Sequence, residues 1–169
     1  VLDDRGHWQV QIAGMSQPFT FDGLIVALPT WQASQLLKTI PGVLATELGA
    51  IRYANAAVIC MALKREQIPR ALDAFGIVVP AAANRQLLAA SFSSVKFPDR
   101  APEGHVLVRA FVGGVCQEAL VDLDDQAMKQ LVRDELREIV QLQGEPEWWH
   151  IQRWYHATPQ YEVGHLDRI

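Results

Sequence analysis

Residues Leu87–Gly114 read LLAASFSSVKFPDRAPEGHVLVRAFVGG. Leu87–Ser94 is an apolar run that turns small and polar. Val95–Gly104 carries Pro98, Asp99, Pro102 and Gly104, residues that fix or permit turn conformations. His105–Val112 is rich in Val and carries Phe111, and Gly113-Gly114 closes it. The connection is too short for a crossover helix, so the two runs are expected to pair antiparallel in one sheet. Phe75–Val79 is expected in that sheet as well.

Working outward, strands are expected on both sides. Ala56–Leu63 reads as a strand ending in Lys64-Arg65-Glu66, a solvated strand end. Glu147–Tyr155 alternates, with Trp149, Ile151 and Arg153 on one face and Trp148, His150, Gln152 and Trp154 on the other. Pro159 ends its ladder. Between them Asp122–Val140 predicts the longest helix. Asp122, Asp124 and Asp125 suit its N-terminus, and Met128, Val132, Leu136, Ile139 and Val140 make its apolar stripe. Gly144 and Pro146 stop it. Pro80–Gln86 reads as a loop or a single helical turn.

Before Ala56 the pattern changes. His7–Ala13 alternates as a half-buried strand, and Phe19–Phe21 starts a second. Leu24–Leu28 (LIVAL) is unbroken apolar sequence, which suits a strand covered on both faces. Pro29 ends it, and Thr30 is expected to cap a helix over Trp31–Lys38. Pro41–Leu48 predicts a short helix. The whole is α+β, dominated by a mixed, mostly antiparallel sheet with one long helix.

At 169 residues, half of them hydrophobic, the chain can build a core of its own. A net charge of −4 gives no basic surface for nucleic acid. Cys60 and Cys116 both sit in apolar runs and read as buried free thiols of a reducing cytoplasm. No apolar run reaches the length of a membrane span. Val1 in place of an initiating Met reads as the start of an excised piece.

Metal and nucleophile chemistry find no pattern. His150 and His156 are about 20 Å apart on an extended segment at about 3.3 Å per residue, too far to share an ion. No CxxC, HExxH, EF-hand or GxSxG spacing occurs. Ser91, Ser93 and Ser94 read as a strand end satisfied by hydroxyl hydrogen bonds.

Three ordered segments carry a resemblance: Phe75–Pro80 (FGIVVP), Ser91–Pro102 with Arg109–Gly114 (SFSSVKFPDRAP, RAFVGG), and Pro159–His165 (PQYEVGH). Together they resemble the protoporphyrinogen oxidases, FAD-dependent enzymes of haem synthesis. The resemblance covers nearly the whole chain but only an inner part of such an enzyme. It implies oxidation of protoporphyrinogen to protoporphyrin with FAD and oxygen. The coproporphyrinogen-oxidising version shares these motifs, and a non-catalytic porphyrin- or lipid-binding sheet domain is the rival from another class.

By the same resemblance, residues 1–50 belong to the FAD-binding domain, residues 51–155 form the substrate-binding sheet domain with helix 122–140, and residues 156–169 return toward the FAD domain. Val78, Ser91 and Phe111 map to the slot that stacks on the porphyrinogen. Ser91 departs from the Leu often found there in plant enzymes, which makes the slot roomier. Ala27, Pro29 and Trp154 map beside the flavin ring. Arg109 shares a strand face with Phe111, facing a propionate or solvent. The glycine-rich phosphate turn, the propionate-binding Arg, the membrane-associating segment and the second FAD segment map outside residues 1–169. The expectation is a protein that is cytoplasmic, or peripheral to the inner membrane through that outer segment, and open to homodimerisation. The chain alone is expected to be inactive and not to hold FAD.

Overall fold

The computed structural model describes residues 1–168. In chain order the elements are β1 (Trp8–Val10), β2 (Phe19–Phe21), α1 (Thr30–Leu36), α2 (Leu44–Gly49), β3 (Tyr53–Lys64), β4 (Gly76–Val78), β5 (Leu87–Phe92), α3 (Ser93–Lys96), β6 (His105–Gly113), α4 (Asp125–Val140), β7 (Trp148–Pro159) and α5 (His165–Arg168). They fall into two compact units. One gathers Val1–Arg52 with the described residues from Gln160 onward; the other is Tyr53–Pro159.

In the first unit β1 and β2 pair antiparallel, with Trp8 opposite Phe21 and Val10 opposite Phe19. The strand expected over His7–Ala13 shortens to three residues, because Gly14 and the turn before it leave no ladder beyond Val10. The carboxylate of Asp3 accepts from the backbone N–H of His7 at 2.8 Å and of Arg5 at 2.9 Å. These bonds, with that of the His7 N–H foremost, hold its pKa below the ordinary carboxylate value. α1 and α2 meet side by side: Ser34 Oγ donates to the carbonyl of Ala45 at 2.6 Å. A Cβ at Gly49 would stand 2.7 Å from that same Oγ, so a larger residue there would push the Ser34 hydroxyl out of this bond.

Two expectations fail here. Leu24–Leu28 forms no strand, and Ile25 is 94% exposed. An apolar run becomes a strand only when other backbone pairs with it, and no described residue does so. Thr30 is not the cap of α1. The N-cap is Pro29, whose carbonyl accepts from the N–H groups of Gln32 and Ala33, both at 2.9 Å.

The second unit is a five-stranded antiparallel sheet in the order β4-β5-β6-β3-β7. The hairpin of β5 and β6 forms as expected, with β4 beside it. β5 ends two residues early, at Phe92, because Ser93–Lys96 makes one helical turn. Ser94 Oγ then accepts from the Leu107 N–H at 3.0 Å, and Ser91 Oγ lies 3.5 Å from the Phe75 carbonyl. These are the hydroxyl bonds expected of a strand end.

One face of the sheet is the core. Ile59, Met61, Leu63, Val106, Val108, Ala110 and Val112 project from β3 and β6 and cluster with Met128, Val132, Leu136 and Val140 of α4. The spacing of four keeps the helical residues on one stripe. Asp124, not Asp122, is the N-cap; its carboxylate accepts from the Ala127 N–H at 2.8 Å. Residues Glu118–Asp122 form a separate 3-10 turn. The helix ends at Val140, before Gly144, with Gln141 left-handed at φ 59° and the Leu142 N–H bonded to the Leu136 carbonyl.

Arg153 fastens β7 to this turn. Its Nε donates to the Val121 carbonyl at 3.0 Å and an Nη to that of Leu123 at 2.6 Å. Another Nη meets the Asp125 carboxylate at 2.8 Å. Cys60 is half-buried, but Cys116 is exposed, contrary to its expected burial. Gly113 and Gly114 take positive φ and turn the chain off the sheet before the Val115-Cys116 pair, so that apolar pair never enters the ladder.

Candidate functional site

The face of the sheet opposite α4 is built by the strand period of two and by one bulge. Leu87 pairs with Val112 and Ala89 with Phe111, so Leu88 is an extra residue in β5. That extra residue lets Leu87 bury against the core while Ala89 and Ser91 face the other way. The ladders then align four rows across the outer face. They are Trp148–Ala62–Leu107, His150–Cys60–Arg109–Ser91–Gly76, Gln152–Val58–Phe111–Ala89–Val78, and Trp154–Ala56–Gly113.

Val78, Ser91 and Phe111 therefore lie on one side of one sheet. Val78 and Phe111 share a row two strands apart, roughly 10 Å at about 4.8 Å per strand. Val78 is 84% exposed on the short edge strand β4, and Phe111 is half-buried on β6. β3 and β5 contribute only small side chains around them: Ala56, Val58, Cys60, Ala62, Ala89 and Ser91. The outcome is a broad, shallow apolar floor, and not an enclosed cavity.

A surface cleft of about 530 Å³ lies elsewhere, lined by Lys64, Arg65, Ile68, Pro69, Gly104 and His105. It marks the end of the β3–β6 ladder, six register steps or roughly 20 Å from Phe111. There Glu147 lies 3.9 Å from Lys64 and 3.2 Å from His105, so its charges are partnered locally.

The floor differs. Its central charge is Arg109, exposed, with Cζ 5.5 Å from the centroid of the Phe111 ring. Among the described residues no carboxylate pairs with it. Sequence periodicity placed Arg109 beside Phe111 but gave no sign of the stacking, which depends on side-chain torsions. At the far end of the same row, His150 stacks on Trp148 with ring centroids 6.0 Å apart.

Of the residues mapped beside a flavin, Trp154 stands on the outer face of β7, 55% exposed, and pairs with Ala56. Ala27 and Pro29 lie in the first unit, both exposed. Nothing among the described residues forms a phosphate cradle. Gly113-Gly114 leads into a 3-10 turn instead of a helix, and the segment before α1 is not a strand. No group of three or more His, Cys, Asp or Glu among the described residues could hold a metal ion. None of the described helices is long and apolar enough to cross a membrane.

Comparison with known proteins agrees with the sequence motifs. The pattern of the family described as flavin containing amine oxidoreductase matches residues 4–169. Coproporphyrinogen III oxidase of Bacillus subtilis is 30% identical over 148 residues, 88% of this chain and 31% of the relative. The mitochondrial protoporphyrinogen oxidase of Nicotiana tabacum is 29% identical over 151 residues, 86% of this chain and 30% of the relative. A crystal structure from Exiguobacterium sp. 255-15, provisionally named a protoporphyrinogen oxidase, superposes with TM-score 0.76 at 27% identity. It covers 98% of this chain and 35% of its own. The chain thus spans about a third of the length of the relatives it matches.

Proposed function

The chain belongs to the flavin containing amine oxidoreductase family, and from that premise we propose that it forms the substrate-facing sheet of a porphyrinogen oxidase of haem synthesis. In this reading residues 53–159 are the substrate domain, and the first unit is part of the FAD-binding domain. The substrate is protoporphyrinogen IX, with coproporphyrinogen III as the alternative, since relatives of both kinds match at similar identity. The observation that carries the reading is the alignment of Val78, Ser91 and Phe111 on one open apolar face.

A porphyrinogen is a broad macrocycle, and its oxidation removes hydride from a meso carbon. In such an enzyme the cofactor accepts that hydride. The present residues do not make an FAD site by themselves, because the phosphate cradle is not among them. Ala27, Pro29 and Trp154 are proposed as part of the wall beside the flavin ring. The chain's own work is to bind and orient the macrocycle. Phe111 offers a ring to one pyrrole, Val78 flanks it, and the small side chains of β3 and β5 let the macrocycle approach the backbone. Cytoplasmic location, peripheral membrane contact and a homodimer belong to the same proposal, and fractionation and light scattering of the full-length protein test them.

The direct test uses the flavin-loaded, full-length protein that carries this chain. Phe111→Ala should lower kcat/KM for porphyrinogen about tenfold, equivalent to roughly 1.4 kcal/mol, with bound FAD unchanged by its visible spectrum. Equal loss of FAD and activity would show that Phe111 is structural, and failure of the parent to oxidise any porphyrinogen would remove the reading.

A further inference from the structure

Arg109 is the one charge in the four rows of the outer face, and it occupies the centre strand of five. Its neighbours along β6 are Leu107 and Phe111, and its neighbours across the ladders are Ser91 and Cys60. None is acidic. In water an exposed guanidinium needs no partner. Once a flat ligand covers this face and excludes water, an unpaired guanidinium becomes costly. A ligand that fits the floor must therefore bring its own negative charge to Arg109.

We infer that Arg109 binds a carboxylate on the rim of the tetrapyrrole, and that this pairing fixes the macrocycle's rotation on the floor. The inference rests on the reading of this face as a porphyrinogen site. The geometry suits the role. With its Cζ 5.5 Å from the centroid of the Phe111 ring, the guanidinium is held near that ring by a cation–π contact, and its N–H groups can offer a fork of two hydrogen bonds to a carboxylate. The same Phe111 ring supports the macrocycle, so the propionate and the pyrrole that bears it are held by adjacent outward residues of one strand. Cys60 lies directly across the ladder from Arg109, and His150, two strands along the same row and roughly 10 Å away, is the nearest other basic group on the face. It is stacked on Trp148 and is too distant to share that carboxylate.

The test measures fluorescence titration of the flavin-loaded, full-length protein with coproporphyrin III and with its tetramethyl ester. The expected result is that Arg109→Gln weakens binding of the acid about tenfold or more and leaves the ester within about twofold. Arg109→Lys should keep part of the acid affinity, because the charge remains but the fork is lost. Added salt should weaken acid binding in the wild type more than in Arg109→Gln. Equal weakening of acid and ester, or no weakening of either, would overturn the inference, as would a wild type that binds neither. Turnover is read separately. A wild-type protein that oxidises neither porphyrinogen removes the functional proposal, while the acid–ester contrast still decides the role of Arg109.

Discussion

The two units use apolar sequence in opposite ways. In Tyr53–Pro159 the buried apolar residues of β3 and β6 project to one face of the sheet, those of α4 repeat every four, and together they form one core. In the first unit, among the described residues, only Ala33, Leu37 and Ile51 are buried apolar side chains, while Ile25, Leu28, Leu36 and Val43 are exposed. The unbroken apolar run Ala56–Leu63 becomes a strand because β6 and β7 pair with it on both edges, whereas Leu24–Leu28, equally unbroken, finds no paired backbone among the described residues and stays irregular.

The contrast can be broken most directly by truncating one side chain in each unit. Leu136→Ala, at a residue 1% exposed, should cost about 2–5 kcal/mol in chemical denaturation. Ile25→Ala should stay within about 0.5 kcal/mol. Similar losses would mean that the first unit buries its apolar run in solution.

Next in size is the clamp that joins β7 to the turn before α4. Arg153→Met removes the donors to the Val121 and Leu123 carbonyls and should cost about 1–3 kcal/mol. Asp125→Asn should cost less than about 1 kcal/mol, since that carboxylate is 65% exposed and its ion pair is screened. If Asp125→Asn costs as much as Arg153→Met, the ion pair and not the carbonyl bonds holds the turn. Asp124→Ala should cost about 1 kcal/mol by loss of the cap on the Ala127 N–H, read from the same denaturation midpoint.

The smallest effect belongs to the first unit. The folded state lowers the pKa of Asp3 below its ordinary value of 3.8. Its contribution is therefore complete above that value and is lost as pH falls through the lower, folded value. Chemical shifts of the Arg5 and His7 amides should move in that acid range while those of β3 and β6 stay fixed. Simultaneous movement in both units would tie them into one cooperative structure.

What the sequence revealed follows the same division. The β5–β6 hairpin, its pairing with β4 and the faces of β7 were legible because the period of two decides them locally. Val78, Ser91 and Phe111 were singled out by the family resemblance, and their common face rests on the registers of β4, β5 and β6. The fate of Leu24–Leu28 was not legible, because strand formation there depends on remote backbone. Cys116 was misread because its apolar neighbours lie beyond the glycine pair that leaves the sheet. The bulge at Leu88 and the stacking of Arg109 on Phe111 were also out of reach. Register slips and side-chain torsions are tertiary choices that leave no periodic trace.

The strand order carries a consequence in time. β3 is hydrogen-bonded on both edges, yet β6 begins at His105 and β7 at Trp148, long after Lys64 ends β3. During synthesis at roughly 5–20 residues per second, β3 waits several seconds for its second neighbour. Both of its ladders close large loops, so folding should be slow for a unit of this size. In that interval Ile59, Met61 and Leu63 stand open to any passing strand. Binding of a chaperone to nascent chains should therefore peak after Lys64 emerges and fall once Pro159 does, which selective ribosome profiling would record.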